Sequence, residues 1–291
     1  MEGLSLKKRY GALFAELAGA SRAPDIIDET NVYQEANPLI RKVMDKIVAE
    51  NLLPGSRLEG REHFAEFFSK IKSGSRGLIL SEHFSNLDLP IICYMLEQDP
   101  GDFGPEISRR IVSISGKKLN ETSPLVKACA DGFTRVVIYP SRSLASVTDP
   151  QEQIRGKKIN MAAMRALNTA KRNGKVVLVF PSGTRYRPGK PETKRGLREI
   201  DSYLRIFDIM ILISINGSCL RIDPEDPENM LADRVVEDRL IVASSPVMEC
   251  KPFRKSIIDS AAAQGAPDPK QATADRIMEL LEAQHKGYEN C

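Results

Sequence analysis

The chain has 291 residues, 42% hydrophobic and 28% charged, with no Trp, a composition of ordinary globular proteins that excludes disordered and collagen-like classes. Its 42 Lys and Arg against 39 Asp and Glu leave a formal charge of +3, too small for a dedicated nucleic-acid binder, so any phosphate affinity has to be local. Cys93, Cys129, Cys219, Cys250 and Cys291 form no Cys-x-x-Cys pair, which argues against a zinc ribbon or a disulfide framework and for reduced thiols in a cytosol-like compartment.

At the start of the chain Lys7, Lys8 and Arg9 precede Leu13, Phe14 and Leu17, but Glu16 interrupts the apolar core of a signal peptide, so an amphipathic helix is expected. Pro38 to Glu50 and Glu62 to Ile71 carry helical patterns, and the pattern before Gly77 is helical only. This predicts a helical N-terminal segment over residues 1–60 and a second domain over 61–291.

From Gly77 onward short β-branched runs alternate with helical patterns. Strands are expected at Gly77 to Ser81, Ile111 to Ser115, Arg135 to Tyr139, Lys175 to Phe180, Ile209 to Ile215 and Arg239 to Ala243. Helices are expected at Asp88 to Glu97, Ser123 to Ala130, Ile154 to Arg172 and Gly196 to Phe207, the last with Leu197, Ile200, Leu204 and Phe207 on one stripe. Asp223 to Glu228 reads as a surface loop, and Gly265 to Pro269 as a linker before a final helix containing Ile277, Leu280 and Leu281. The alternation predicts an α/β fold, a largely parallel or mixed central sheet flanked by helices, with ligands at the carboxyl ends of its strands. The longest apolar run, Ile209 to Leu220, is about twelve residues and contains Ser214, Asn216 and Ser218, short of the roughly twenty a spanning helix needs.

Just past the first of these strands lies Ser81-Glu82-His83-Phe84-Ser85-Asn86-Leu87-Asp88-Leu89-Pro90. On one continuous helix His83 and Asp88 would point about 140° apart, so they meet only across a turn. Ser85 and Asn86 favour a turn, and Asp88 with Pro90 resembles a helix start. A His oriented by a carboxylate is the usual general-base arrangement; on spacing alone it stands level with the simpler reading that Asp88 caps a helix and His83 ends a strand. His63 and His285 are expected at the surface without comparable company.

The strand at Lys175 to Phe180 leads into Pro181-Ser182-Gly183-Thr184-Arg185-Tyr186-Arg187-Pro188-Gly189-Lys190. From Arg185 to Arg198 there are six basic residues (Arg185, Arg187, Lys190, Lys194, Arg195, Arg198) against Glu192, a local charge of +5. Guanidinium groups beside small turn residues suit a phosphate; the plain alternative is a solvated basic loop. A P-loop is excluded, because five residues separate Gly183 from Gly189 where a P-loop has four, and Pro191 replaces the Ser or Thr after Lys190. After the strand at Arg135 to Tyr139, Arg142 is expected to join the phosphate pocket from a neighbouring strand. There is no Gly-x-Ser-x-Gly elbow, which argues against a covalent serine hydrolase.

His83 with Asp88, then Gly132-Phe133-Thr134-Arg135, then Phe180 to Arg185, in that order and spacing, resemble the glycerolipid acyltransferase family. Pro181 to Pro188 is similar to the third motif of its plastid-type glycerol-3-phosphate 1-acyltransferases, Pro-Ser-Gly-Gly-Arg-Asp-Arg-Pro. The resemblance runs from about Tyr33 to about Pro191 and makes residues 61–291 an α/β acyltransferase domain. It implies a catalytic pair at His83 and Asp88, and phosphate-binding arginines at Arg185 and Arg187 within a substrate-binding loop that includes Ser182, Gly183 and Thr184. A phosphate-binding Lys-His pair falls on Arg142, which keeps the charge, and Ser143, which departs from the pattern.

The implied reaction is a step of phospholipid biosynthesis, transfer of a fatty acyl group from acyl-carrier protein or a coenzyme A thioester to the 1-hydroxyl of glycerol 3-phosphate, with His83 as general base. No metal or redox cofactor and no nucleic acid is required. Acyltransferases acting at the second position usually have Glu at the place of Ser182 and lack the second arginine, so a 1-acylglycerol-3-phosphate acyltransferase is the alternative. A noncatalytic binder of phosphorylated or acidic partners is the second. A cytoplasmic or plastid-stromal location is expected, with transient contact between a membrane surface, or an acidic carrier, and Lys190, Lys194, Arg195 and Arg198.

Overall fold

Val and Ile are stiff at χ1 and fit a pleated surface, and the runs that hold them form the sheet. The computed structural model describes residues 3–121 and 123–289. Its strands are β1 (Tyr33–Gln34), β2 (Arg57–Glu59), β3 (Gly77–Ser81), β4 (Ile111–Gly116), β5 (Arg135–Ile138), β6 (Val176–Val179), β7 (Ile209–Asn216), β8 (Leu220–Arg221), β9 (Arg234–Val235), β10 (Ile241–Ser244) and β11 (Met248–Glu249). The helices are α1 (Leu6–Ala20), α2 (Pro38–Asn51), α3 (Arg61–Lys72), α4 (Asp88–Glu97), α5 (Phe103–Arg110), α6 (Lys118–Glu121), α7 (Pro124–Asp131), α8 (Ser141–Ala145), α9 (Pro150–Arg172), α10 (Ile200–Ile206), α11 (Cys250–Ala263) and α12 (Pro269–Gly287).

The main sheet has the order β1-β5-β4-β6-β3-β7-β10-β2, with β11 also on β7. Its centre, β5, β4, β6, β3 and β7, is parallel throughout. Antiparallel strands flank it, β1 on β5 and both β10 and β11 on β7; β8 and β9 form a separate hairpin-like pair. The mixed sheet agrees with the expected fold class.

Parallel strands covered on both faces must be apolar throughout, and β3, β6 and β7 are buried along their whole length. Alternation divides them between two cores. Ile79, Leu178 and Ile211 face α2, α3, α4 and α5, whereas Leu78, Leu80 and Val177 face α9, α10 and α12. No described helix is long and apolar enough to cross a membrane.

Three expectations need correction. The chain before Gly77 is not helical only, because β1 and β2 close opposite ends of the sheet order; strands of two and three residues are too short to display a period. The helix expected from Gly196 becomes regular only at Ile200, since the Leu197 N–H donates to the Pro181 carbonyl (2.9 Å) and holds the loop after β6 instead. The last expected strand starts at Ile241, not Arg239: the Leu240 N–H is taken by Ser56 Oγ (3.0 Å).

Candidate active site

At the carboxyl end of β3 the chain turns and enters α4, whose first residue is Asp88. The Asp88 carboxylate does not cap its own helix; it closes the turn that precedes it. Oδ2 accepts from Phe84 N (2.6 Å) and Ser85 N (2.9 Å), Oδ1 accepts from Ser85 Oγ (2.8 Å), and His83 Nδ1 lies 2.9 Å from Oδ2. Because the carboxylate can only accept, Nδ1 carries a proton, and Nε2 is the ring nitrogen that no described group contacts. Phe180, one residue beyond β6, stacks on the imidazole with ring centroids 4.1 Å apart and planes 16° apart. The His83 side chain keeps 17% of its surface exposed, enough for a reactant to reach it.

The loop after β6 is tied directly to this turn: Tyr186 N donates to the His83 carbonyl (2.7 Å). Gly183 has φ +67°, a left-handed backbone that favours glycine. Ser182 Oγ donates to the Thr184 carbonyl (2.7 Å), and Thr184 Oγ1 accepts from Arg187 Nη1 (3.0 Å).

The two arginines of this loop have different surroundings. Arg185 is buried and pairs with Asp233, which is fully buried; burial pushes the Asp233 carboxyl up to about 6, with Arg185 pulling the other way. Arg187 pairs through Nη2 with Glu228 Oε2 (3.0 Å), and Lys190 Nζ holds Glu228 Oε1 (3.0 Å). Glu228 is 63% exposed, and its hydrogen bond to Lys190 holds its carboxyl below the usual range. The run Asp223 to Glu228, which reads in sequence as a surface loop, thus supplies the partner of Arg187, and Asp233, five residues beyond it, supplies that of Arg185. Lys194 also pairs with Glu282 (3.7 Å) and Arg198 with Asp268 (3.1 Å). Four carboxylates, of Glu228, Asp233, Asp268 and Glu282, therefore reduce the sequence-local +5 to +1.

Arg142 and Ser143 lie in α8 after β5. The expectation that Arg142 comes from a strand neighbouring β6 is corrected: β4 lies between β5 and β6, placing the strands about 9–10 Å apart. Arg142 is exposed, and among the described residues neither it nor Ser143 bonds to the arginine loop. Arg135 starts β5 level with Ile79 of β3 through Ser113 and Leu178, well before the strand ends. Burial pulls its guanidinium down to about 10, and it contributes to the sheet interior, not the site edge.

Two histidines expected at the surface have partners. His63 Nδ1 lies 2.9 Å from the Ser244 carbonyl. His285, in the last turn of α12, contacts Glu82 Oε2 through Nδ1 at 2.8 Å, and its ring lies 5.3 Å from that of Phe84. Glu82 is buried and also accepts from Ile215 N (3.1 Å). Its hydrogen bond raises the pKa of His285, while burial raises that of Glu82. A second carboxylate–imidazole pair thus adjoins the first, with a sequence separation of 203 residues that hides it from any local motif. The one local signal is a Glu directly preceding His83 at the end of a buried strand, where a carboxylate needs a partner.

The four described cysteines are free, and Cys291 lies outside the described residues. Burial pushes the Cys93 thiol up to about 11 and those of Cys129, Cys219 and Cys250 up to about 12, which makes them packing groups, not nucleophiles. At this edge the partly exposed imidazoles are those of His83 and His285, 17% and 24% exposed.

A family model described as Acyltransferase matches residues 56–268. The chain is 28% identical over 126 residues to a protein named chloroplastic glycerol-3-phosphate acyltransferase of Arabidopsis thaliana, covering 43% of this chain and 26% of that one. The Spinacia oleracea protein of the same name is 28% identical over 126 residues, 43% of this chain and 25% of its own length. That of Carthamus tinctorius is 25% identical over 125 residues, 43% and 26%. The matched region spans about a quarter of each of these relatives.

Proposed function

This chain belongs to the Acyltransferase family, and from that premise we propose that it moves a fatty acyl group from acyl-carrier protein or coenzyme A to the 1-hydroxyl of glycerol 3-phosphate, giving lysophosphatidate. The observation that carries this reading is the hydrogen bond from Tyr186 N to the His83 carbonyl, which fixes the arginine loop against the residue holding the free imidazole nitrogen. The acceptor named in the relatives has an alcohol and a phosphate, and these two elements suit the two ends.

His83 Nε2 takes the proton of the acceptor hydroxyl as its oxygen attacks the thioester carbonyl. A C–O bond forms, the tetrahedral intermediate collapses with loss of the C–S bond, and the imidazolium returns the proton to the sulfur. A thiol with a pKa near 8.5 leaves readily, so deprotonating the alcohol is the demanding part. General-base help contributes about 10²- to 10⁴-fold, and holding the phosphate to orient the hydroxyl contributes further. Arg187 is the arginine that meets the phosphate, exchanging an exposed Glu228 for a dianion. Arg185, neutralised by Asp233, anchors the loop.

The test is turnover of purified protein with glycerol 3-phosphate and with 1-acylglycerol 3-phosphate, each with carrier-protein and coenzyme A thioesters. Turnover of glycerol 3-phosphate to the 1-acyl product is expected. Preference for the acylated acceptor would instead make this a second-position acyltransferase, and acceptor binding without turnover by either donor would mean a noncatalytic binder.

A further inference from the structure

The outer face of α9 carries a pattern that the site does not use. The helix turns Ile159, Ala163, Leu167 and Ala170 inward onto the sheet. On the opposite side Ile154, Met161 and Met164 are 56%, 55% and 46% exposed, three of the seven large hydrophobic side chains exposed among the described residues. An ordinary surface helix presents polar groups there.

Alongside and beyond these apolar groups stand Lys157, Lys158, Arg165 and Arg172, all exposed, and none makes a hydrogen bond or ion pair among the described residues. The spacing of Ile154, Lys158, Met161, Arg165 and Arg172 by four, three, four and seven residues keeps them on one stripe. The acid of this helix, Glu152, is half-buried and bonded to Lys117 at 3.0 Å. The face therefore has a charge of +4 in a chain whose total is +3, leaving −1 for everything else. By contrast Lys190, Lys194 and Arg198, three of the four cations that the sequence offers for docking, are held by carboxylates of this same chain.

We infer that the outer face of α9 docks on an anionic phospholipid bilayer. Lipid phosphates match the unpaired ammonium and guanidinium groups, while Ile154, Met161 and Met164 enter the headgroup–acyl boundary, as on helices that lie in the interface. The long stems of Lys and Arg let the charged ends reach phosphates as the apolar groups sink. A second copy of this chain would bring the same four cations against them. An acidic protein would match the charge but has no comparable use for an apolar row of about 15 Å, ten residues at 1.5 Å each. Because α9 leads from the carboxyl end of β5 to the start of β6, its Ile154 end lies at the sheet edge that carries His83. Docking thus brings the site edge towards the membrane, where an acyl-glycerol product partitions.

The assignment is independent of the acyl-transfer reading, since it is measured without turnover. The experiment is sedimentation of the full chain with vesicles of phosphatidylcholine mixed with phosphatidylglycerol and with vesicles of phosphatidylcholine alone. Binding to the anionic vesicles only, weakened by salt, is expected. Lys157→Gln with Lys158→Gln and Arg165→Gln is expected to weaken it on the order of 100-fold, at roughly fivefold per basic residue near an anionic surface. Met161→Ser with Met164→Ser is expected to weaken it roughly tenfold by removing apolar contact, and Lys190→Gln with Lys194→Gln to leave it unchanged. Circular dichroism melts of these exposed-residue variants should match the parent. The proposal is overturned by equal partition onto both vesicle types, by undiminished binding in both α9 variants, or by a charge variant that keeps vesicle binding while losing binding to an acidic carrier protein.

Discussion

Two carboxylate–imidazole pairs sit back to back where β3 ends, and they differ in what else surrounds the carboxylate. Asp88 accepts three hydrogen bonds besides that of His83, all from Phe84 and Ser85 of its own turn. Glu82 has Ile215 N besides His285 and so depends far more on its imidazole. His83 has a free Nε2 over a stacked Phe180; His285 ties the end of α12 to the end of β3. The two pairs place a carboxylate on an imidazole alike and differ in how far the carboxylate is satisfied by its own turn, while both imidazoles stay partly exposed, 17% for His83 and 24% for His285.

The largest effect that tests this contrast is on turnover. His83→Ala is expected to lower kcat by at least 10²- to 10⁴-fold while the melting temperature and acceptor binding stay near those of the parent. Asp88→Asn would direct an amide donor at the N–H groups of Phe84 and Ser85, so both kcat and thermal stability are expected to fall. Steady-state kinetics and calorimetry on both variants check this; a His83→Ala protein with near-parental turnover would move the base elsewhere.

The second pair should respond in the opposite sense. Glu82→Gln or His285→Ala breaks a largely buried ion pair, and about 3 kcal/mol of stability is expected to be lost, with a smaller loss of kcat. The pH dependence has a definite sign. The pKa of His285 is raised above 6.5, so its contribution is fully present below about 6.5 and is lost as pH rises through the raised value. The pKa of Glu82 is raised above 4.5, so its contribution also declines with rising pH, in the window just above 4.5. Melting temperature in the parent should therefore fall between neutral and mildly alkaline pH by a component that is absent in His285→Ala. A pH slope unchanged by that substitution would remove His285 from the explanation.

Burial separates the two arginines, since Arg185 pairs with a buried carboxylate and Arg187 with an exposed one. Arg187→Ala is expected to weaken acceptor binding by about 1.5–3 kcal/mol, the range for hydrogen bonds to a charged group, and to leave the fold intact. Arg185→Ala should instead destabilise the protein by leaving Asp233 buried without its partner. Calorimetric titration with glycerol 3-phosphate beside thermal melts distinguishes these outcomes.

The smallest expected effect is at Glu228, which pairs with Arg187 from an exposed position and, on the proposed function, would compete with the acceptor phosphate. Exposed ion pairs contribute little, so Glu228→Gln is expected to lower the KM for the acceptor only about two- to fivefold, with kcat unchanged. A raised KM would mean that Glu228 binds the acceptor itself.

How much of this was legible follows from the range of the forces involved. The Gly77 to Ser81 strand and the Asp88 to Glu97 helix have the bounds expected from periodicity, because buried β-branched runs and a helix opening with Asp and Pro are local signals. The turn that brings His83 to Asp88 is equally local, made by five intervening bonds and its own amides. The edge strands β1 and β2 were not legible, since two or three residues carry no period and pair only with strands remote in sequence.

The sequence by itself determined the alternation of strands and helices, the edge of the sheet on which the loops would gather, and the residue types of the His83–Asp88 turn and the arginine loop. Tertiary structure alone decided which charges remain available. It placed Asp233 and Glu228 on the two arginines, Glu82 on a histidine 203 residues away, and β4 between Arg142 and the loop it was expected to join. Periodicity reports which side of an element is buried, a property of neighbouring residues. A charge is neutralised by whatever carboxylate folding brings within a few ångströms, and that distance is written nowhere along the chain.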